Sequence, residues 1–380
     1  MRVLFIVQGE GRGHMTQALV LEEILNKAGH QVTDIILGTS NRRQIPEYFT
    51  KKTEAKIHKV ESPNFYYDKE HKSINLKKTF IKNVVKVPHF LRELKRINSI
   101  VKASKADTVV NFYDVLGGYY FLFYRPQVKR ICIAHQYLAS HSQFPFSKEY
   151  PIQKQIFKFN NRVTSFFAHK RLALSFKDLP HEGKELHIIP PLIRKEVLEL
   201  KPTNGDYILA YVVNKGYGFD ILKWHEKNQN IKVHCFWDNY EKPVEWSPHK
   251  NITFYHIHDK KFIKHLANCT CYVSTAGFES ISEAMYLGKS VMMVPVKSQY
   301  EQICNALDAE IAGAGIITSE FDLSQILSFI HSNKKTGNQY KSWVNAHENI
   351  ILKEIEDFVP YKTAEEKIDL KIEQLIFNNR

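Results

Sequence analysis

Two Rossmann-like α/β domains facing each other across a cleft are what this sequence predicts, and three observations predict them. Each half opens in the same way. An apolar run (residues 3–7, then 208–213) enters a glycine loop, Gly9-x-Gly11-x-Gly13 or Asn214-Lys215-Gly216-Tyr217-Gly218, and a helical pattern follows. Between the halves, residues 201–206 are short, polar and turn-rich, as a linker is. Residues 269–294 then read as strand, small polar turn, helix and second buried strand, closed by Pro295. The predicted division is a first domain over 1–200, a linker over 201–206, a second domain over 207–340 and terminal helices over 341–380.

Composition narrows the class. With 380 residues, 43 % hydrophobic and 24 % charged, the chain is ordinary for a soluble globular protein and can bury a large core in two or three domains. No apolar run reaches the roughly 18 residues of a membrane-spanning helix, and the N-terminus reads as a first strand, not a secretory signal. Five cysteines without Cys-x-x-Cys spacing argue against a disulfide framework or a zinc ribbon. The expected setting is reduced and cytoplasmic. A net charge of +13 suits an anionic substrate or an anionic membrane surface. It comes with no nucleic-acid signature, neither zinc-finger spacing nor an RNA-recognition aromatic pattern. A plain lysine-rich, solvated surface would also account for it.

Along the chain, strand 3–7 runs through the glycine loop into His14 and a helix over 15–28, whose buried stripe is Leu19, Leu21, Ile24 and Leu25. Gly29 ends that helix and strand 32–37 follows. The loop is not the dinucleotide fingerprint, because no acidic residue stands near Leu37 or Gly38. Residues 64–107 interleave lysines and arginines with aromatic and aliphatic residues, and Pro88 should split their helix. Such a stretch either packs on the first sheet with its lysines in water or lies on anionic lipid head groups. Strands 108–112 and 129–134 end at Asp114 and at His135-Gln136, placing these residues at the sheet edge where ligands bind. Residues 140–151 form a polar, aromatic loop. A helix over 152–170 and strands 172–175 and 188–192 complete the first half.

In the second half, strand 208–213 leads to a helix over 219–227. Strands 231–236 and 252–255 precede His256-Ile257-His258-Asp259 and a helix ending near 268. His256 and His258 lack a third neighbouring ligand, which argues against a metal there. The polar turn Ser274, Thr275, Ala276, Gly277 before a helix start offers unpaired N–H groups to a phosphate. Glu283, one turn on, is placed to accept both hydroxyls of a ribose. Further helices are expected over 307–312, 323–331 and 343–359.

These residues resemble the donor-site signature of the inverting, nucleotide-sugar-dependent glycosyltransferases of the twin-Rossmann, GT-B type. That group includes the UDP-glycosyltransferases and the bacterial enzyme that adds N-acetylglucosamine to lipid I. Gly277, Phe278, Glu279, Ser280 and Glu283 fall in register with the family's Gly, Trp, Asn, Ser and Glu, and Pro295, Glu301, Gln302, Asn305 and Ala306 follow in order. Two positions depart from the pattern: Thr275 stands for a phosphate-binding His, and Glu279 for the Asn. The resemblance implies that Ser280 and the backbone near Gly277 hold the diphosphate, Glu283 the ribose, and Glu301 with Gln302 the donor sugar. Ile257 would meet the base, taken to be uracil. The first loop resembles the acceptor-side loop of the same group, with Gly11 and Gly13 before His14, and His135 is assigned to the acceptor side too. Terminal helices in this architecture cross back onto the first domain.

Sugar transfer needs a base, a holder for the leaving diphosphate and an aimed sugar. His14 is the expected base, oriented by Asp114, with Asn111 or Glu10 as substitutes. Lys215, helix N-termini and Ser280 are expected to meet the leaving charge. Because no Asp-x-Asp motif is present, no metal and no cofactor beyond the donor are expected. The partners implied are a nucleotide sugar, a lipid-linked or cell-envelope acceptor and peripheral contact with an anionic membrane at its inner face. Two other functions fit the same features: a UDP-sugar 2-epimerase of this fold, and a non-catalytic protein binding a polyanion or membrane.

Overall fold

Val3, Leu4, Phe5, Ile6 and Val7 are all fully buried, the mark of a strand covered by helices on both faces of a parallel sheet. The structure, a computed structural model, describes residues 1–39, 45–63, 76–332 and 339–357. The expected residues Phe65, Tyr66, Tyr67, Lys69 and Lys72, the side chains of Lys77, Lys78 and Phe80, and positions 358–380 lie outside that part.

In chain order the first half runs β1 (Arg2–Gln8), α1 (Arg12–Lys27), β2 (Gln31–Thr39), α2 (Glu47–Lys52), β3 (Lys56–Glu61), α3 (Leu76–Val85) and α4 (Val87–Ser104). It continues through β4 (Thr108–Phe112), α5 (Val115–Tyr124), β5 (Lys129–Ala134), α6 (Pro151–Thr164), β6 (Lys170–Leu174), β7 (Leu186–Ile189) and α7 (Lys195–Leu198). The second half holds β8 (Tyr207–Val212), α8 (Lys215–Glu226), β9 (Lys232–Trp237), β10 (Glu245–His249), β11 (Ile252–His256), α9 (Asp259–Asn268), β12 (Cys271–Ser274) and α10 (Phe278–Tyr286). After it come β13 (Ser290–Met293), α11 (Tyr300–Ile311), β14 (Gly315–Ile317), α12 (Ser324–Ser332), α13 (Gln339–Asn345) and α14 (His347–Glu356).

Among the described residues two seven-stranded sheets form. The first has the order β3-β2-β1-β4-β5-β6-β7 and is parallel throughout. The second has the order β10-β11-β9-β8-β12-β13-β14, with only β10 antiparallel. Strand order reverses beside β1 and β4 in one sheet and beside β8 and β12 in the other. At those switch points the carboxyl ends of the strands leave a crevice.

Several elements were hidden in the sequence. Helix α5, over Val-Leu-Gly-Gly-Tyr-Tyr-Phe-Leu-Phe-Tyr, is apolar all round and so shows no helical period. It packs against α6 through Gly118, where an added Cβ would sit 1.9 Å from the Val163 carbonyl oxygen. The split at Pro88 is real: α3 ends at Val85 and α4 starts at Val87 with the proline in its first turn. Buried Phe90, Leu94, Ile97 and Val101 then hold α4 to the sheet at helical spacing. The expected helix 307–312 begins two turns earlier, at Tyr300, so Glu301 and Gln302 stand on its first turn.

The last helices span the halves. In α13, Tyr340 Oη donates to the Ser282 carbonyl at 3.1 Å, and Trp343 Nε1 to the Ser175 carbonyl at 3.0 Å. Helix α14 lies on the first half, with Glu348 against Lys27 at 2.7 Å, Glu356 against His30 at 2.8 Å and Glu354 against Lys170 at 2.9 Å. Among the described residues no helix is long and apolar enough to cross a membrane.

Candidate active site

Helix α1 begins at Arg12 with Gly11 as its extended, side-chain-free cap, which lifts His14 into the first turn at the carboxyl end of β1. The ring is buried and stacks on Tyr113 at 5.6 Å between centroids. Its Nδ1 lies 3.2 Å from Gln17 Oε1. An amide oxygen can only accept, so Nδ1 carries the proton. On the other side, Gln136 Nε2 lies 3.5 Å from His14 Nε2. Burial holds the imidazole down at about 4, against the Gln17 bond, so the ring is neutral at physiological pH.

The expected partner of His14 is corrected. Asp114 makes no hydrogen bond to the imidazole; its Oδ1 caps α5, accepting from Leu116 N at 2.8 Å and Gly117 N at 3.2 Å, and from Ser62 Oγ at 3.2 Å. Burial pushes its carboxyl up to about 6 despite those bonds. Asn111 is structural as well. Its amide donates to the carbonyls of Asp114 at 2.9 Å and Thr164 at 2.8 Å. His135 donates Nδ1–H to the Leu174 carbonyl at 2.7 Å and stacks on Phe278 of α10 at 4.0 Å, with Nε2 buried and unpaired. It thus touches the second half directly.

The second half presents two helix starts to this surface. Gly277 is the extended, side-chain-free cap of α10; Ala276 before it has φ +60° and is held by Asn305 Nδ2 on its carbonyl at 3.3 Å. Thr275 is buried in the same turn. Buried Ser274, where β12 ends, has its hydroxyl beside that of buried Tyr272. Ser280 is half-buried, its Oγ donating weakly to the Gly277 carbonyl at 3.3 Å. Glu279 crosses to the first half and accepts from Gln17 Nε2 at 2.5 Å. The approach is close enough that a Cβ on Gly13 would lie 3.1 Å from Glu279 Cγ. Burial pushes the Glu279 carboxyl up to about 8, opposed by the Gln17 bond and reinforced by the Glu283 charge. Glu301, in the first turn of α11, accepts from Gln136 Nε2 at 2.9 Å, and burial raises its pKa too. Gln302 turns back on its own loop, accepting from Val296 N at 2.9 Å.

Glu283 is buried and gripped by a residue the sequence reading passed over. Arg194, on the chain leaving β7, donates Nε to one Glu283 oxygen and an Nη to the other, both at 2.6 Å. A further Arg194 N–H meets Asp259. Burial works against the Arg194 charge, yet the two carboxylates outweigh it. Lys215 stands at the start of α8 as expected but exposed, with its ammonium on Glu241 at 2.7 Å. Ile257 lies half-buried between β11 and α9. His256 Nε2 donates to the Lys242 carbonyl at 2.9 Å and His258 caps α9 through Nδ1, so the pair is not gathered around a point.

His181, His187 and Glu354 do cluster, away from this cleft, and their chemistry is that of an ion-pair network. Ile188 N–H donates to His181 Nδ1 at 3.1 Å, leaving the ring proton on the Nε2 that faces Glu354. Lys170 already supplies a cation to the same carboxylate at 2.9 Å.

The two halves thus bring together a neutral histidine with a lone pair on Nε2, the start of α10 and the Glu283 carboxylate one turn along it. Proteins of Lactobacillus helveticus and Lactobacillus acidophilus are 24 % and 22 % identical over 350 and 338 residues, each covering 85 % of this chain and 88 % of the relative. Both are named UDP-N-acetylglucosamine–N-acetylmuramyl-(pentapeptide) pyrophosphoryl-undecaprenol N-acetylglucosamine transferase. Among solved structures, the glycotransferase of kitacinnamycin superposes with a TM-score of 0.63 at 12 % identity over 93 % of this chain and 98 % of that one. MurG of Acinetobacter baumannii does so with a TM-score of 0.58 at 15 % identity over 94 % and 99 %. The fold is the GT-B fold. A family model described as glycosyl transferase family 1 matches residues 1–333, and the chain belongs to that family of glycosyltransferases.

Proposed function

We propose that this glycosyltransferase moves a sugar from a UDP-linked donor to a hydroxyl of a lipid-linked acceptor, with inversion, at the inner face of the cell membrane. The observation that carries the reading is the bridging of His14 to the starts of α10 and α11, through Gln17 to Glu279 and through Gln136 to Glu301. The acceptor hydroxyl gives its proton to His14 Nε2 as its oxygen attacks the anomeric carbon. The bond from that carbon to the diphosphate breaks on the opposite face, and its electron pair leaves with UDP. Backbone N–H groups at Gly277 and Ser280, with the Ser280 hydroxyl, meet the growing charge, so no metal or cofactor is called for. Glu283 keeps lone pairs for the ribose beside its Arg194 fork. The names of the lactobacillar relatives favour UDP-N-acetylglucosamine and a pyrophosphoryl-undecaprenol acceptor, and one structural neighbour is a complex with UDP.

A melting panel tests the donor. UDP at 100-fold its dissociation constant should stabilise the protein by about 2.7 kcal/mol, while ADP and GDP leave the melting temperature unchanged. No response to any nucleoside diphosphate would overturn the reading. Incubation with UDP-N-acetylglucosamine alone should yield no epimer, which separates a transferase from a 2-epimerase of this fold.

Helices α3 and α4 supply the membrane contact in this reading. Ile81, Val84, Val85, Val87 and Leu91 are exposed apolar residues there, interleaved with exposed Lys82, Arg92 and Lys95. The protein should float with phosphatidylglycerol vesicles and not with phosphatidylcholine vesicles. Lys82→Glu with Arg92→Glu and Lys95→Glu should abolish flotation; retained flotation would remove this surface from the proposal.

A further inference from the structure

We infer that Glu279 and Glu301, from the second half, set the proton on His14 by fixing two glutamine amides across the cleft. An amide has two ends of similar shape and opposite hydrogen-bonding sense, so a glutamine beside an imidazole imposes a tautomer only if something holds the amide from behind. Here both amides are held. Glu279 takes the Nε2 end of Gln17 at 2.5 Å, which turns Oε1 toward His14 Nδ1 at 3.2 Å. Glu301 takes the Nε2 end of Gln136 at 2.9 Å, and the same nitrogen stands 3.5 Å from His14 Nε2. The two sides agree. A donor faces Nε2 and an acceptor faces Nδ1, so the ring holds Nδ1–H and presents its lone pair at Nε2. Both glutamines are buried, and the contacts span 262 and 165 positions of sequence.

The arrangement does not depend on whether either glutamate is ionised, because a carboxyl oxygen accepts from an amide in both states provided the proton sits on its other oxygen. It does depend on closure. When α10 and α11 draw back, the anchors leave, the amides can turn and the tautomer is released. Glu279 and Glu301 are thus positioning residues, acting through Gln17 and Gln136, that couple the base on one half to the seating of the other. The charged and titratable groups around Glu279 are Glu283, Arg194 and Tyr340, none of which reaches the imidazole.

The inference rests on His14 being the base, and the test keeps the two apart. Full-length protein is assayed for UDP release from UDP-N-acetylglucosamine with a pyrophosphoryl-undecaprenol-linked acceptor. Gln17→Leu and Glu279→Leu should lower kcat by about tenfold or more with the donor KM little changed. Glu279→Gln, whose amide oxygen can still accept, should restore kcat to within about threefold of the parent. Nitrogen-15 NMR of the histidine-labelled protein with UDP bound should show the Nδ1–H tautomer at His14, and a mixture in Glu279→Leu. An Nε2–H tautomer in the parent protein would overturn the inference, whatever the variants do. So would Gln17→Leu and Glu279→Leu retaining kcat while His14→Ala loses it. If His14→Ala keeps turnover, it is the base assignment beneath the inference that falls.

Discussion

His14→Ala is expected to lower kcat by about 10²- to 10⁴-fold, the usual worth of a positioned proton acceptor, with UDP affinity within about twofold of the parent. The two effects separate because the ring lies on the first half, whereas the turn Ser274 to Gly277 and the Glu283 carboxylate, to which the proposal assigns the donor, lie on the second. The pH profile sharpens the test. The proposed reaction uses the neutral ring, and burial holds its pKa at about 4. The limb of kcat/KM due to His14 should therefore stay level from neutrality to about pH 5 and fall only below that, rather than near the ordinary histidine value of about 6.5. Simultaneous loss of UDP binding and turnover in the variant would show that the histidine holds the donor instead.

The second large effect is expected at Arg194. Its guanidinium is the cation between two carboxylates, Glu283 and Asp259, and it sits in a partly buried place. Removing one partner of a buried ion pair leaves an uncompensated charge, at a penalty of about 3–5 kcal/mol. Arg194→Ala should lose stability on that scale in urea unfolding and should weaken UDP binding, because Glu283 then loses the two-pronged contact that aims it. Adding Glu283→Gln should recover much of the stability and none of the nucleotide affinity. A ribose site that survives Arg194→Ala intact would show that Glu283 is aimed by the helix alone.

What was legible in the sequence is what local pattern carries. Two strand–glycine-loop–helix openings gave the twin architecture, because buried parallel strands leave unbroken apolar runs and the chain must turn tightly where it enters each helix. In the 269–306 stretch, the turn before α10 and the helix carrying Glu283 were legible for the same reason. Asp114 misled because an acid after a strand reads equally as a site residue or a helix cap, and the helix it caps is apolar all round, leaving no period to announce it. Gln17, Gln136 and Arg194 were beyond local pattern altogether. Their partners lie 262, 165 and 89 positions away, and an amide or a lone arginine carries no signal until folding brings its partner to it.

Among the described residues the polypeptide passes between the lobes twice, first along the segment that carries Arg194 and again beyond α12, where α13 straddles the two and α14 settles on the first sheet. A body fastened at two points swings like a door on a pair of hinge pins. Such a door has one axis, so the gap should widen along a single arc, and product must leave by whichever rim swings farthest from the pins.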